Sequence, residues 1–141
     1  MKRMHVGLKV DDVAAALDFY TRLFGAEPSL VRPDYVKWML DDPLLNFSID
    51  IHGEGPPGSA HFGIQVTSDQ ELEEMRERID SAGLSREDQN DLVCGYQLQH
   101  KSWVRDPDGA MWEAFLTEGV VDGAAYGNEE VPIVYSQTAD S

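Results

Sequence analysis

The 141 residues include 26 acidic and 11 basic side chains, a formal charge of -15, and 42% of them are hydrophobic. That apolar share supports a packed core of one domain, or of two small subdomains sharing a core, and excludes a disordered or fibrous chain. The negative charge repels nucleic acid phosphates and anionic head groups, and no segment nears the roughly 20 apolar residues of a membrane helix, so no nucleic acid or membrane partner is expected. The start, Met1 to His5, runs into a strand pattern without a signal peptide, and the one cysteine, Cys94, has no partner for an internal disulfide. Both features predict a cytoplasmic protein.

Residues 5–10 read His-Val-Gly-Leu-Lys-Val, with Val6, Leu8 and Val10 alternating against His5, Gly7 and Lys9 as in a half-buried strand. Asp11 and Asp12 offer an N-cap to a helix over 13–24, whose Val13, Leu17, Tyr20 and Phe24 fall at near-helical spacing and which Gly25 ends. A strand and tight turn follow from Tyr35 to Pro43, then a final strand over 45–51. The same order returns. Residues 61–66 read His-Phe-Gly-Ile-Gln-Val, Ser68 and Asp69 precede a helix over 71–82 carrying Leu72, Met75 and Ile79, and Gly83 ends it. The run 101–109 passes through Trp103 into Asp-Pro-Asp-Gly, and Ala110 to Leu116 closes the copy. The offset of the last strands is 65 by the Trp38 to Trp103 echo and 64 by the Asp-Pro turns. Parity favours 65: Phe47, Ile49 and Ile51 form the apolar face, which leaves Asn46, Ser48 and Asp50 to match Glu113.

The sequence thus predicts an α+β protein of two paired βαβββ modules forming a cup-shaped incomplete barrel. Residues 1–57 are the first module, 58–117 the second and 118–141 an acidic tail, in one structural domain. Equivalent strands of two packed modules meet across a pseudo-twofold axis, which brings His5 to His61, and the strand of Glu113 closes beside the first strand of its module. Two imidazoles and a carboxylate make a facial triad that holds a divalent first-row metal and leaves positions open to water, oxygen or substrate. Ser48, at the corner equivalent to Glu113, is a poor ligand. Asp50 is the alternative, and as a fourth ligand it favours Lewis-acid chemistry. His52 and His100 have no symmetric counterpart and are read as ordinary.

The paired modules, the strand-opening histidines and Asp-Pro-Asp-Gly-Ala-Met-Trp-Glu-Ala-Phe at 106–115 resemble the vicinal oxygen chelate superfamily of glyoxalase I, extradiol dioxygenases, fosfomycin-resistance thiol transferases and bleomycin-binding proteins. Val31-Arg-Pro-Asp-Tyr35, Asn90-Asp-Leu-Val-Cys94, Gln99-His-Lys101 and Trp103-Val look like the cadmium-induced-protein group, which includes iron-dependent carbon-arsenic lyases. That resemblance implies iron(II) at His5, His61 and Glu113. It matches Cys94 to the first of two vicinal arsenic-capturing cysteines, with Gly95 in place of the second, and it makes Lys101 a positive charge near an anionic substrate. Two thiolates hold soft trivalent arsenic better than one, because the second closes a ring.

From Glu118 onward there is no Lys, Arg or His, which predicts a solvated, partly disordered tail in which 131–135 is apolar enough to dock as an edge strand. The superfamily resemblance implies a homodimer acting on a small molecule. Three readings follow. The leading one is an iron(II)-dependent enzyme that uses oxygen to cleave a small substrate, with Cys94 and Lys101 as its catalytic contacts. The others are a manganese- or zinc-dependent thiol transferase or lyase, and a drug- or metal-binding resistance protein without activity.

Overall fold

The computed structural model describes residues 1–125, with side chains described throughout except at 93–96 and 119–125. In chain order the elements are β1 (Arg3–Lys9), α1 (Val13–Phe24), β2 (Leu30–Arg32), β3 (Tyr35–Asp41), β4 (Leu44–Asp50), β5 (Ala60–Gln65), α2 (Asp69–Ser81), β6 (Glu87–Arg105) and β7 (Met111–Ala125). The fold is α+β. Two units divide the chain, one being Arg3–Phe62 and the other running from Gly63 on together with Met1–Lys2; the division falls inside β5. No helix among the described residues is long and apolar enough to cross a membrane.

In the first unit Asp12 caps α1 by accepting the Ala15 backbone N–H at 3.0 Å, and Gly25 ends it in the left-handed conformation at φ 62° that glycine adopts without strain. The strands lie in the order β2-β3-β4-β1, with β1 and β4 parallel and the other pairs antiparallel. One face of this sheet buries Val36, Trp38, Phe47 and Ile49 under Leu17, Tyr20 and Phe24 of α1. The Tyr20 and Phe24 rings stand 4.7 and 5.2 Å from the Phe47 ring, within the range of favourable aromatic pairs. The opposite face carries His5, Lys37, Asn46 and Ser48, all buried. Alternation along each strand therefore separates a helix-packed apolar face from a buried polar one.

The second unit repeats the plan. Ser68 caps α2 by accepting the Glu71 N–H at 3.1 Å, and Glu71 reaches back to accept the Thr67 N–H at 2.7 Å and its hydroxyl at 2.6 Å. Leu72, Met75 and Ile79 are the buried stripe of α2, and Leu72 and Met75 pack with Val66, Ala114 and Leu116. The Thr67 hydroxyl and then its N–H hold the Glu71 carboxyl down to about 2, from an ordinary 4.5. A depressed carboxyl stabilises the folded state above its unfolded value and loses that contribution as pH falls through the folded one. Urea midpoints of the parent should therefore fall between pH 4.5 and 2 more steeply than those of Glu71→Gln; parallel curves would show that the cap carries no such linkage.

β6 is strand throughout its 19 residues, but it is not one straight strand. A straight run would separate Asp88 from Ser102 by about 45 Å. Instead the Ser102 hydroxyl donates to Asp88 at 2.6 Å, the Trp103 indole N–H donates to Gln89 at 2.8 Å and the Asp91 N–H donates to His100 at 3.1 Å. Residues 87–92 therefore run antiparallel to 98–105, and the chain reverses between Leu92 and Gln97. Arg76 of α2 fastens the two arms by donating to Ser102 and Asn90. Burial opposes ionisation of Asp88, yet its bonds from Ser102 and Arg86 prevail and the carboxyl titrates below its ordinary value. With β6 counted as two arms, β5, α2, the hairpin and β7 reproduce the βαβββ order of the first unit.

The register of the repeat is measurable. Val10 N–H donates to the Asp50 carbonyl at 2.9 Å, and Val66 N–H donates to the Phe115 carbonyl at 2.8 Å. The first strands are thus offset by 56 and the last by 65, which makes Ser48 the counterpart of Glu113. The Trp echo that suggested 65 is nevertheless not an equivalence. Trp38 pairs with Phe47 on the helix-packed face, whereas Trp103 pairs with Glu113 on the opposite one. β7 also runs past Leu116, pairing with β6 as far as Ala125 opposite Gly95, so the first part of the expected tail is strand. The segment 131–135 lies outside the described residues.

Candidate metal centre

β1 and the beginning of β5 bring the two predicted imidazoles together. His5 Nε2 and His61 Nε2 are 3.3 Å apart, and the ring centroids are 5.2 Å apart with planes tilted by 53°. Two nitrogens bound to one ion at about 2.1 Å, with an angle of 90–110° between them, stand roughly 3.0–3.4 Å apart. The observed spacing fits that requirement. His5 is 6% exposed and level with Asn46 in the β1–β4 ladder. Its Nδ1 lies 3.1 Å from the Asn46 backbone carbonyl and 3.3 Å from the Asn46 side-chain oxygen. A carbonyl only accepts, so Nδ1 carries the proton and Nε2 keeps its lone pair, directed toward His61. Metal-binding histidines are oriented by this kind of second hydrogen bond.

In the second unit Glu113 is 4% exposed on β7, on the face away from α2. Lys101 reaches it from the neighbouring strand, with Nζ 3.2 Å from Oε1, and the two side chains are 1% and 3% exposed. Lys101 Nζ also lies 5.2 Å from the Trp103 ring and 5.7 Å from the Phe115 ring. A carboxylate buried this deeply requires a compensating cation, and Lys101 is one. Gly63, two residues beyond His61 on the same face of β5, lies against Glu113: a methyl group on it would come within 2.6 Å of the Glu113 Cγ. His5 and His61 of the first unit and Glu113 of the second are the three donors named from the sequence, and imidazole and carboxylate both suit a divalent first-row metal.

The remaining predicted residues sort by position. Ser48 is buried level with Gly7, at the corner expected of it. Asp50 is not brought to His5: it is level with Lys9, about 13 Å further along the strand, and its Oδ1 accepts the backbone N–H groups of His52 and Gly53 at 2.7 Å each. His52 pairs with Asp34 at 3.0 Å, and His100 pairs with Glu118 at 3.0 Å. The Cys94 side chain lies outside the described side chains. Sequence reasoning missed Asn46, because an acceptor that orients a ligand through its backbone leaves no mark on residue type. It also passed over the two glycines, although their repetition two places after each histidine was the available signal.

The model of the Glyoxalase/Bleomycin resistance protein/Dioxygenase superfamily matches residues 2–114. A trivalent organoarsenical cleaving enzyme of Bacillus sp. (strain MD1) is 44% identical over 124 residues, which is 86% of this chain and 77% of that protein. The cadmium-induced protein of Mycobacterium tuberculosis is 33% identical over 129 residues, covering 91% and 83%. Among solved structures, a superfamily member from Vibrio splendidus aligns with TM-score 0.53 and 22% identity over 83% of this chain and 99% of its own. An extradiol ring-cleaving dioxygenase from B. fuscum aligns with TM-score 0.60 and 18% identity over 85% of this chain and 34% of its own. Both structural likenesses concern the fold alone. With the family model matching residues 2–114, well over half of the sequence, the chain belongs to the glyoxalase/bleomycin resistance protein/dioxygenase superfamily.

Proposed function

We propose that the protein is an iron(II)-dependent enzyme that uses oxygen to cleave a bond in a small substrate, with trivalent organoarsenicals as the first class to test. His5, His61 and Glu113 would hold the iron. The observation that carries this reading is the facing pair of Nε2 atoms at 3.3 Å, one of them fixed as a lone-pair donor by the Asn46 carbonyl. The names of the relatives supply the substrate class. When bound, the ion supplies Lewis acidity and one-electron chemistry with oxygen.

The chain's own residues do the rest. Asn46 fixes the His5 ring and its tautomer. Lys101 balances the Glu113 charge, and the apolar rings beside Lys101 keep water from the pair. Cys94, by its place in the sequence, offers one soft thiolate to arsenic. Gly95 offers none, so the thiol and the substrate form a single bond rather than a chelate ring. Ser48 at the fourth corner leaves three protein ligands, a set that either iron or a Lewis-acid metal accepts, so the requirement for oxygen is what separates the two readings. By the family resemblance the protein is a homodimer, and its single cysteine accords with a reducing, cytoplasmic compartment.

The test is anaerobic purification, metal analysis, reconstitution with iron(II), and oxygen uptake against a panel of catechols and trivalent organoarsenicals. Oxygen uptake that needs both iron and an organoarsenical, with release of inorganic arsenite, is the expected result. Turnover that proceeds without oxygen sinks the oxygen-using reading in favour of Lewis-acid chemistry, and failure to bind any divalent metal sinks both.

A further inference from the structure

Glycine inside a strand weakens it and ordinarily marks a special backbone angle or a close approach. Gly7 is not among the glycines with positive φ, so no backbone angle demands it. Space does. A methyl group built on Gly7 would lie 2.3, 2.6 and 3.0 Å from Cε1, Nε2 and Nδ1 of His61, and the three nearest atoms it meets all belong to that ring. The imidazole of His61 therefore rests on the bare Cα of Gly7, with its Nε2 toward His5. Gly63 stands in the same relation to Glu113, whose backbone oxygen and Cγ lie 2.5 and 2.6 Å from the corresponding position. At Gly63 two of the three nearest atoms are backbone atoms of Glu113, whereas at Gly7 all three belong to a side-chain ring.

We propose that Gly7 is a positioning residue for the metal centre: its missing side chain sets the pose in which His61 meets His5. The proposal rests on the metal-site reading for its purpose, although the contact itself does not. Occupying the hollow swings the ring away and breaks the 3.3 Å approach of the two nitrogens. A glycine retained only for strand packing would be indifferent to what stands at position 61.

The experiment is a double-mutant cycle of Gly7→Ala and His61→Ala, read as melting temperature in metal-free protein and as cobalt(II) affinity. Gly7→Ala in the parent should lower the melting temperature by about 3–10 °C, as for an overpacked site. In the His61→Ala background the ring is gone, and the same change should shift it by less than about 2 °C. An equal loss in both backgrounds overturns the proposal, and rescue by His61→Ala keeps the test valid even if the single variant folds poorly. Cobalt(II) should bind Gly7→Ala at least about tenfold more weakly than the parent, in the range of losses when a ligand's orienting partner is removed. Parent-like affinity in Gly7→Ala alone overturns the positioning role. Parent-like affinity in His61→Ala instead sinks the metal-site reading, while the melting cycle still decides whether Gly7 seats the ring.

Discussion

His61→Ala should lower the affinity for iron(II) or cobalt(II) by more than about a hundredfold, with His5→Ala and Glu113→Gln falling in the same range. Changes to the groups that merely orient ligands cost roughly ten- to a hundredfold, and loss of a ligand itself exceeds them. A facial set has no redundancy, since three donors already leave open positions. Two internal controls make the result readable. His52→Ala and His100→Ala remove imidazoles that pair with Asp34 and Glu118, and both should bind metal as the parent does. Equilibrium titration of metal-free protein, followed by the visible absorption of cobalt(II), measures all five variants on one scale. If His61→Ala matches the parent, the facing imidazoles are not a metal site, and the apposition of His5 and His61 needs another account.

How far the sequence anticipated this centre differs from residue to residue. The span 13–24 of α1 was legible because Asp12 and Gly25 both act locally, through a side-chain cap and a left-handed C-cap. The equivalence of Ser48 and Glu113 was legible through strand parity, which two backbone hydrogen bonds 56 and 65 residues apart reproduce. The tryptophan echo pointed to the same offset for the wrong reason, because Trp38 is buried against α1 while Trp103 stands beside Lys101 on the other face. The strand within 87–92 was hidden. Its Glu-Asp-Gln-Asn-Asp run has no apolar alternation, and it is held by side-chain bonds to Ser102, Trp103 and Arg76 that no local pattern announces. The continuation of β7 was hidden likewise, since its partners are Gln99, Leu98, Gln97 and Gly95, toward the turn of that hairpin. What the sequence conveyed was therefore the candidate donors. What it left unassigned were the groups beside them, Asn46 and Gly7: a backbone oxygen leaves no mark on residue type, and the repeated glycine was visible without the ring that fills the space next to it.

Lys101→Met should destabilise the metal-free protein by about 3–5 kcal/mol, the range for removing one partner of a buried ion pair. The magnitude follows from burial: side chains exposed by 1% and 3% gain almost no help from solvent once the pair is broken, and Glu113 loses the cation that faces it. Methionine keeps the length and apolar stem of lysine and fits beside Trp103 and Phe115, so the loss reports charge rather than packing. Two further measurements separate the causes. Saturation with cobalt(II) should recover most of the loss, because a divalent ion at Glu113 supplies the missing positive charge and binding to the folded state adds stability by mass action. The double variant Lys101→Met/Glu113→Leu should recover stability without metal and bind none, since replacing both members of a buried pair by apolar groups is close to neutral. Urea unfolding of the three proteins, each with and without cobalt(II), gives the comparison. A single variant within about 0.5 kcal/mol of the parent would mean that Lys101 does not neutralise Glu113, the scale of an ordinary surface change. A loss that cobalt(II) leaves untouched would detach Glu113 from the metal while leaving the ion pair intact as a purely structural contact.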